Sequence, residues 1–306
     1  MLELLARAKF SLYSWRGELQ VLVSIIIPCK NEGKNIIMTL DSLFASTNKT
    51  DYEVIVIDDG SSDNCCNGIE KKYQTIGLYR TEGMGAARAR NYGAEKAKGS
   101  VLIFCDAHLT FNNHWIDKLV SSLGQYDAVS PGIGVMENPI AAGYGLTWDK
   151  SLKAKWYTER PRAVKKIPFL PGGCLCIKRT VFEDIEGFDK GFIVWGHEDE
   201  EISLKLWLFG YSCSIYPEIL VFHKFRTQHP YKVTFEHVHY NFLRMVYSHF
   251  NDQRINKVNA MLQDSYGYNE AVIKLNASNI AIQRTRYFKK RKYDDDWFFS
   301  RFKIPF

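Results

Sequence analysis

The 306-residue sequence predicts an α/β fold, a doubly wound sheet followed by a helical extension. Three observations predict it. Short β-branched runs recur at residues 21–28, 52–57 and 100–105, helical spacing fills the intervals, and each run empties into polar residues at its carboxyl end. Strands buried on both faces read as unbroken apolar runs of this kind, and parallel pairing needs a helical crossover between them.

Residues 1–20 set Glu3, Arg7, Lys9, Arg16 and Glu18 among apolar neighbours, the pattern of an amphipathic helix and not of a secretion signal. The first strand, 21–28, ends at Pro28 and gives way to Lys30-Asn-Glu-Gly33. Ile36, Leu40 and Leu43 mark a helix over 35–44, and 52–57 is a strand running into Asp58-Asp59-Gly60. The alanine-rich stretch 85–98 is helical by propensity and leads to a third strand, 100–105, which ends at Asp106. Residues 130–166, with their glycines and a basic cluster at Arg160, Arg162, Lys165 and Lys166, read as a long excursion over a site. Order returns at 169–177, and the acidic stretch from Glu198 opens a helix through Leu208 that Gly210 closes. Beyond Tyr231 the pattern is helical. The expected organisation is an N-terminal helix at 1–20, a catalytic α/β domain at 21–235 and a basic, aromatic helical extension at 236–306.

Composition excludes several classes of protein. A hydrophobic fraction of 46% with 14% aromatic residues is globular, and a net charge of +6 is too mild to indicate a nucleic-acid partner. No apolar run approaches the ~20 residues of a bilayer-spanning helix. With no secretion signal the expected location is cytoplasmic, peripheral to a membrane at most. The 7 cysteines, odd in number and without a C-x-x-C pair, read as reduced thiols.

Ligands of a doubly wound sheet gather at the carboxyl ends of its strands, so residues 28–32, 58–62 and 106–108 should converge. A hydride-transferring dinucleotide enzyme is disfavoured, because the first strand runs into Cys-Lys-Asn-Glu-Gly and not into a G-x-G-x-x-G turn. The sharpest constellation is Asp106-Ala-His108. Residues two apart in extended chain face the same way, so a carboxylate and an imidazole address one cation and leave positions for phosphate oxygens. His223, after a short strand at 218–222, is the candidate third ligand. A mixed nitrogen and oxygen set beside a diphosphate suits Mn²⁺, with Mg²⁺ as the substitute.

These residues belong to a longer ordered series: Ile27-Pro-Cys-Lys-Asn-Glu32, Val56-Ile-Asp-Asp-Gly-Ser-Ser-Asp63, Gly85-Ala-Ala-Arg-Ala-Arg90, Phe104-Cys-Asp-Ala-His108, Pro171-Gly-Gly173, Gly187-Phe-Asp189, Trp195-Gly-His-Glu198 and His223-Lys-Phe-Arg-Thr-Gln-His-Pro-Tyr231. The series resembles the nucleotide-sugar glycosyltransferases of the GT-A fold, especially the catalytic domain of polypeptide N-acetylgalactosaminyltransferases and their bacterial family-2-type relatives. The resemblance implies a Rossmann-like mixed sheet and a UDP-sugar donor. It implies that Pro28, Asp58 or Asp59, and Arg88 meet the nucleotide, and that Asp106, His108 and His223 hold the cation at the diphosphate. Arg226, His229 and Tyr231 match a loop folded over UDP, and Trp195 and Glu198 match residues beside the donor sugar.

Two departures bear on mechanism. Where the retaining polypeptide enzymes have Gly-Gly-Glu-Asn, this chain has Gly196-His-Glu-Asp199. That form looks like the inverting branch, with Asp199 as the base at a helix start and Glu200 and Glu201 as ordinary first-turn acids. The lectin module of the animal relatives has no counterpart in 236–306, where the run from Arg284 beside Trp297, Phe298, Phe299 and Phe302 would suit contact with an acceptor, a second chain or an anionic membrane face. The expected acceptor is a peptide or protein Ser, Thr or Cys side chain, with a polysaccharide or lipid-linked glycan as the alternative and a non-catalytic nucleotide-sugar-binding module as the rival of another class.

Overall fold

The computed structural model describes residues 23–306, and the helix expected at 1–20 lies outside the described residues. Its first half alternates strand and helix: β1 (Val23–Cys29), α1 (Asn35–Ala45), β2 (Tyr52–Asp58), α2 (Ile69–Lys72), β3 (Ile76–Arg80), α3 (Ala86–Lys96) and β4 (Val101–Cys105). The pairs β4–β1, β1–β2 and β2–β3 are parallel. Strand 100–105 is therefore the fourth and not the third, because β3, half-buried at the sheet edge, lacks the continuous apolar run that marks the inner strands.

The second half turns the sheet mixed. Here lie β5 (Leu109–Phe111), α4 (Trp115–Ser122), β6 (Ala128–Val135), β7 (Asn138–Gly143), β8 (Leu146–Trp148), β9 (Ala154–Trp156), β10 (Lys165–Lys166), β11 (Cys174–Lys178), α5 (Arg179–Asp184), α6 (Glu198–Leu208) and β12 (Cys213–His223). The order across the sheet is β10-β12-β6-β11-β4-β1-β2-β3, with β11 antiparallel to both neighbours. The excursion expected at 130–166 is corrected: its start is β6, an inner strand, and short strands β7 to β10 punctuate the remainder. Gly132 and Gly134 of β6 are not loop formers. A Cβ at Gly132 would stand 2.8 Å from Leu220 and Tyr144, and one at Gly134 would stand 2.6 Å from Phe222, so glycine is what lets these rings lie on the strand. The strand expected at 218–222 begins five residues earlier, at Cys213, and a register shift between Tyr216 and Leu220 interrupts its pairing with β6.

Alternate side chains of each strand feed two cores. Ile25 and Ile27 of β1 face Ile36, Leu40 and Leu43 of α1 and Trp115 and Leu119 of α4, while Ile26 faces Ala89 and Ala94 of α3 on the opposite side. That second core continues without a break into α7 (Phe235–His249), α8 (Asp252–Leu262), α9 (Tyr268–Asn276), α10 (Ile280–Lys290) and α11 (Asp295–Phe302). Phe298 and Phe299 of α11 are buried beside Trp148, so these rings serve the core and are not free for a membrane face. No helix among the described residues is long and apolar enough to cross a membrane.

Buried ions join the C-terminal helices to the sheet domain. Arg244 Nε of α7 lies 2.9 Å from Asp189 Oδ1, and Gln283 of α10 donates to the same carboxylate at 2.6 Å. On α6, Glu201 meets Lys205 Nζ at 3.1 Å and His249 Nε2 at 2.9 Å with all three side chains buried. Removing one member of such a group leaves an uncompensated charge in the core, a loss of about 3–5 kcal/mol.

Candidate active site

The carboxyl ends of β1 and β4, the turn before β11, the end of β12 and the start of α6 surround one cleft of about 1410 Å³. Of the stretches expected to converge, 28–32 and 106–108 meet at this sheet edge, while 58–62 reaches the cleft through Asp59.

One end of the cleft is built on Asp106. Its Oδ1 accepts a hydrogen bond from Arg90 Nη2 at 2.9 Å, and its Oδ2 lies 3.4 Å from His223 Nε2 and 4.0 Å from His108 Nε2. The two Nε2 atoms are 3.1 Å apart. Burial alone would raise this carboxyl, but the His223 contact and the positive Arg90, with His108, reverse the effect and hold it well below the usual carboxylate range. Neighbouring ligands on a cation with bonds of about 2.1 Å are ~3 Å apart, so an oxygen and two nitrogens at these separations fit one hard-to-borderline cation. Behind His108, its Nδ1 is 3.3 Å from Glu32 Oε2. Arg226 Nη2, which pairs with Glu32, also lies 3.0 Å from that Nδ1, so a carboxylate and a guanidinium together back the ring whose Nε2 faces Asp106 and His223. The buried Nδ1 of His223 has no protein partner among the described residues.

The other end is built on Asp199, in the first turn of α6. His197, at φ +66°, turns the chain into the helix, and Asp199 Oδ2 accepts the Gly172 N–H at 3.3 Å. Burial raises the Asp199 carboxyl first, and the adjacent Glu200 and Glu198 raise it further, to about 7. The turn at 171–173 joins the two ends: a Cβ on Gly172 would lie 3.1 Å from Asp199, and one on Gly173 would lie 3.2 Å from His223. Adjacent Cα atoms are about 3.8 Å apart, so two successive glycines set Asp199 and the Asp106–His108–His223 group close to one another.

The remaining expected residues take different stations. Pro28 lines the wall. Asp58 does not line it; its Oδ1 accepts Ser61 N–H at 3.0 Å and its Oδ2 is 3.8 Å from Arg80. Asp59 does, but its oxygens already accept from Thr81, Met84 and Gly85, which fixes the entry to α3. Arg88 stands exposed at the rim, its Nε donating to Met84 O at 2.7 Å. Glu198 is buried and accepts the Gly196 N–H at 2.9 Å. The segment after β12 crosses the cleft: Arg226 pairs with Glu32, Asn31 Nδ2 donates to Pro230 O at 3.2 Å, and Lys30 Nζ lies 5.8 Å from the Tyr231 ring. Its His229 packs against Trp195, ring centroids 4.4 Å apart, and Trp195 is 41% exposed, open to a ligand on its free face.

Several site residues escaped the sequence reading. Arg90 and Arg88, two apart on a helix, point to opposite sides, so one holds Asp106 and the other faces water. Glu200 and Glu201, read as ordinary first-turn acids, do stand in the first turn of α6 but are buried and partnered, Glu200 with His197 and Trp148 Nε1 and Glu201 with Lys205 and His249. Asn241 of α7 donates to Ile193 O at 2.8 Å and Gly196 O at 3.1 Å and accepts Ile193 N–H at 2.9 Å, pinning the loop that carries Trp195. The Glu32 signal was present in the Lys30-Asn-Glu-Gly33 turn; for Asn241 no local signal exists.

Residues 24–186 match the model of glycosyl transferase family 2, and 159–237 match the N-terminal domain of galactosyltransferase. Among curated proteins, the chain is 28% identical over 229 residues to polypeptide N-acetylgalactosaminyltransferase 4 of Caenorhabditis elegans, covering 68% of this chain and 39% of that protein. It is 31% identical over 225 residues to polypeptide N-acetylgalactosaminyltransferase 8 of Drosophila melanogaster, covering 67% and 38%. The chain thus spans about two fifths of the length of these relatives. Among solved structures, GalNAc-T7 with UDP, GalNAc and Mn²⁺ superposes with a TM-score of 0.71 at 24% identity, over 92% of this chain and 56% of that one. Staphylococcus aureus TarS 1–349 with UDP-GlcNAc gives 0.56 at 17% identity, over 91% and 75%. Both share the fold.

Proposed function

The chain belongs to glycosyl transferase family 2, and from that membership we propose that it moves a sugar from a UDP-sugar to a peptide Ser, Thr or Cys side chain with inversion at the anomeric carbon. The observation that carries the reading is the turn at 171–173, whose adjacent glycines touch the Asp106–His108–His223 set on one side and Asp199 on the other.

In this reading Asp106, His108 and His223 would hold Mn²⁺, which would supply charge neutralisation to a UDP leaving group. The protein's own groups do the rest. Arg226, on the segment folded across the cleft, adds a second positive charge at the leaving group, where negative charge grows most as the glycosidic bond breaks. Trp195 offers a flat apolar face to the sugar ring. Asp199 accepts the proton of the acceptor hydroxyl or thiol while that atom bonds to the anomeric carbon and the carbon–oxygen bond to UDP breaks. A carboxyl raised to about 7 is matched to this task, since a base works best with its pKa near the working pH. Glu198, Glu200 and burial supply that match.

Incubation with a panel of UDP-sugars and Mn²⁺, read as UDP release, needs no acceptor and tests the reading directly. Slow hydrolysis of one donor, lost in His108→Ala, is the expected result; no release from any donor together with UDP binding that ignores Mn²⁺ overturns it.

A further inference from the structure

The nucleotide side of the sheet carries a cluster of soft ligands that the sugar-transfer reading does not use. Cys29 is the last residue of β1, and Cys65 and Cys66 lie in the turn before α2. Their sulfurs form a closed triangle: Cys29 to Cys66 is 3.4 Å, Cys29 to Cys65 is 3.6 Å, and Cys65 to Cys66 is 3.9 Å. All three are buried, with Ile36, Val56 and Ile69 in the same core. Among the described residues this is the one group of three thiols close enough to hold a single ion; Cys105 and Cys174, at 3.9 Å, are only a pair within such reach.

The backbone around the triangle is already fixed. Asp59 N–H donates to Cys29 O at 2.8 Å, Asn31 N–H to Ser61 Oγ at 3.1 Å, Ser62 N–H to Asn31 Oδ1 at 2.7 Å and Gly33 N–H to Asp63 Oδ2 at 2.8 Å. The turn after β1 and the turn after β2 are thus stitched together around the sulfurs, so little chain need be ordered for an ion to bind. Metal–sulfur bonds of about 2.3 Å place the sulfurs of a tetrahedral centre ~3.8 Å apart, close to the observed spacing. A disulfide needs two sulfurs at about 2.05 Å and leaves the third without a role. A closed triad with all three edges between 3.4 and 3.9 Å gives every sulfur a place on one ion.

We propose that Cys29, Cys65 and Cys66 bind one thiophilic d¹⁰ cation, Zn²⁺ or Cu⁺, which bolts the end of β1 to the turn after β2. Three S–H protons leave to solvent as three metal–sulfur bonds form, with no change of oxidation state. The clamp lies directly behind the segments that bring Pro28, Lys30 and Asp59 to the cleft wall. It is distinct from the nitrogen and oxygen set at Asp106 and does not require that sugar transfer be the reaction.

The test uses the full chain carrying His108→Ala and His223→Ala, reduced and stripped of metal, so that ions at Asp106 do not confuse the count. Titration with Co²⁺ as a spectroscopic reporter should give thiolate-to-metal charge transfer saturating at one equivalent. Native mass spectrometry should then show one Zn²⁺ or one Cu⁺ retained against a chelator for that ion, the two arms deciding between them, and thermal unfolding should shift upward with the preferred ion. Cys29→Ser should abolish the charge transfer and the shift. Absence of sulfur charge transfer with Co²⁺ together with no Zn²⁺ or Cu⁺ retained by the parent chain overturns the proposal even if Cys29→Ser fails to fold. Equal retention in Cys29→Ser overturns it too, as does an intact mass two hydrogens lower with no metal, which would mean a disulfide.

Discussion

Asp106 and Asp199 are the same residue type at two ends of one cleft, yet their surroundings drive them in opposite directions. Both are taken out of water, which alone raises a carboxyl. At the strand end Arg90 and two histidines overcompensate, and Asp106 stays an anion under all ordinary conditions. At the helix start the nearest charges are Glu198 and Glu200, so Asp199 is raised to about 7. In the proposed reading the strand end suits a cation, and the helix start suits the exchange of a proton. One fold supplies both because strand ends of the parallel half collect basic side chains from α3 and β12, whereas the first turn of α6 collects acids.

The contrast can be broken by removing either member. Asp199→Asn is isosteric and cannot take a proton, so it should lower kcat by ~10²–10⁴ while UDP binding with Mn²⁺, measured by calorimetry, stays at the wild-type value. Weakened UDP binding in that variant would move Asp199 to the donor end. Glu32→Gln leaves His108 in place but removes the carboxylate behind it, and should weaken Mn²⁺ binding by ~10–100-fold with the pH profile of the chemical step unmoved. Asn241→Ala strips the donors and acceptor that hold 193–196 and should cost about 1–3 kcal/mol in denaturant unfolding. It should also raise the donor KM, since Trp195 loses its support; unchanged KM would make Asn241 purely structural.

The smallest effect sharpens the contrast most. Asp199 is ionised above about pH 7 and protonated below it, so the rate should fall about tenfold per pH unit on the acid side and level off on the basic side. Glu200→Gln deletes one raising charge and leaves burial, the larger cause, so the inflection should move to lower pH. An upward move would mean that His197, freed from Glu200, dominates the site.

Much of the donor end was legible because its chemistry sits in contiguous strand-end motifs. Asp106 and His108 were paired by the alternation of extended chain, although both lie in the bend between β4 and β5, and His223 ends a strand that is apolar in sequence. The base end was legible only in part. Asp199 shows as an acid at a helix start, but what tunes it depends on Glu200 turning inward to His197 and Trp148, a contact across 52 residues. Likewise β6 was hidden because its proline and glycines resemble a loop, and they reveal themselves as packing devices only when Phe222 and Tyr144 are laid against them. Asn241 acts across 48 residues on a backbone carbonyl, and no periodicity reports such a bond. Local pattern carries strand ends well and long-range polar partners poorly.

Anomalous scattering from crystals grown with UDP and Mn²⁺ examines the central claim most directly. The account predicts one manganese peak within bonding distance of Asp106, His108 and His223 and of the pyrophosphate oxygens. A peak elsewhere, or a pyrophosphate bound with these three side chains turned away from it, would contradict the account.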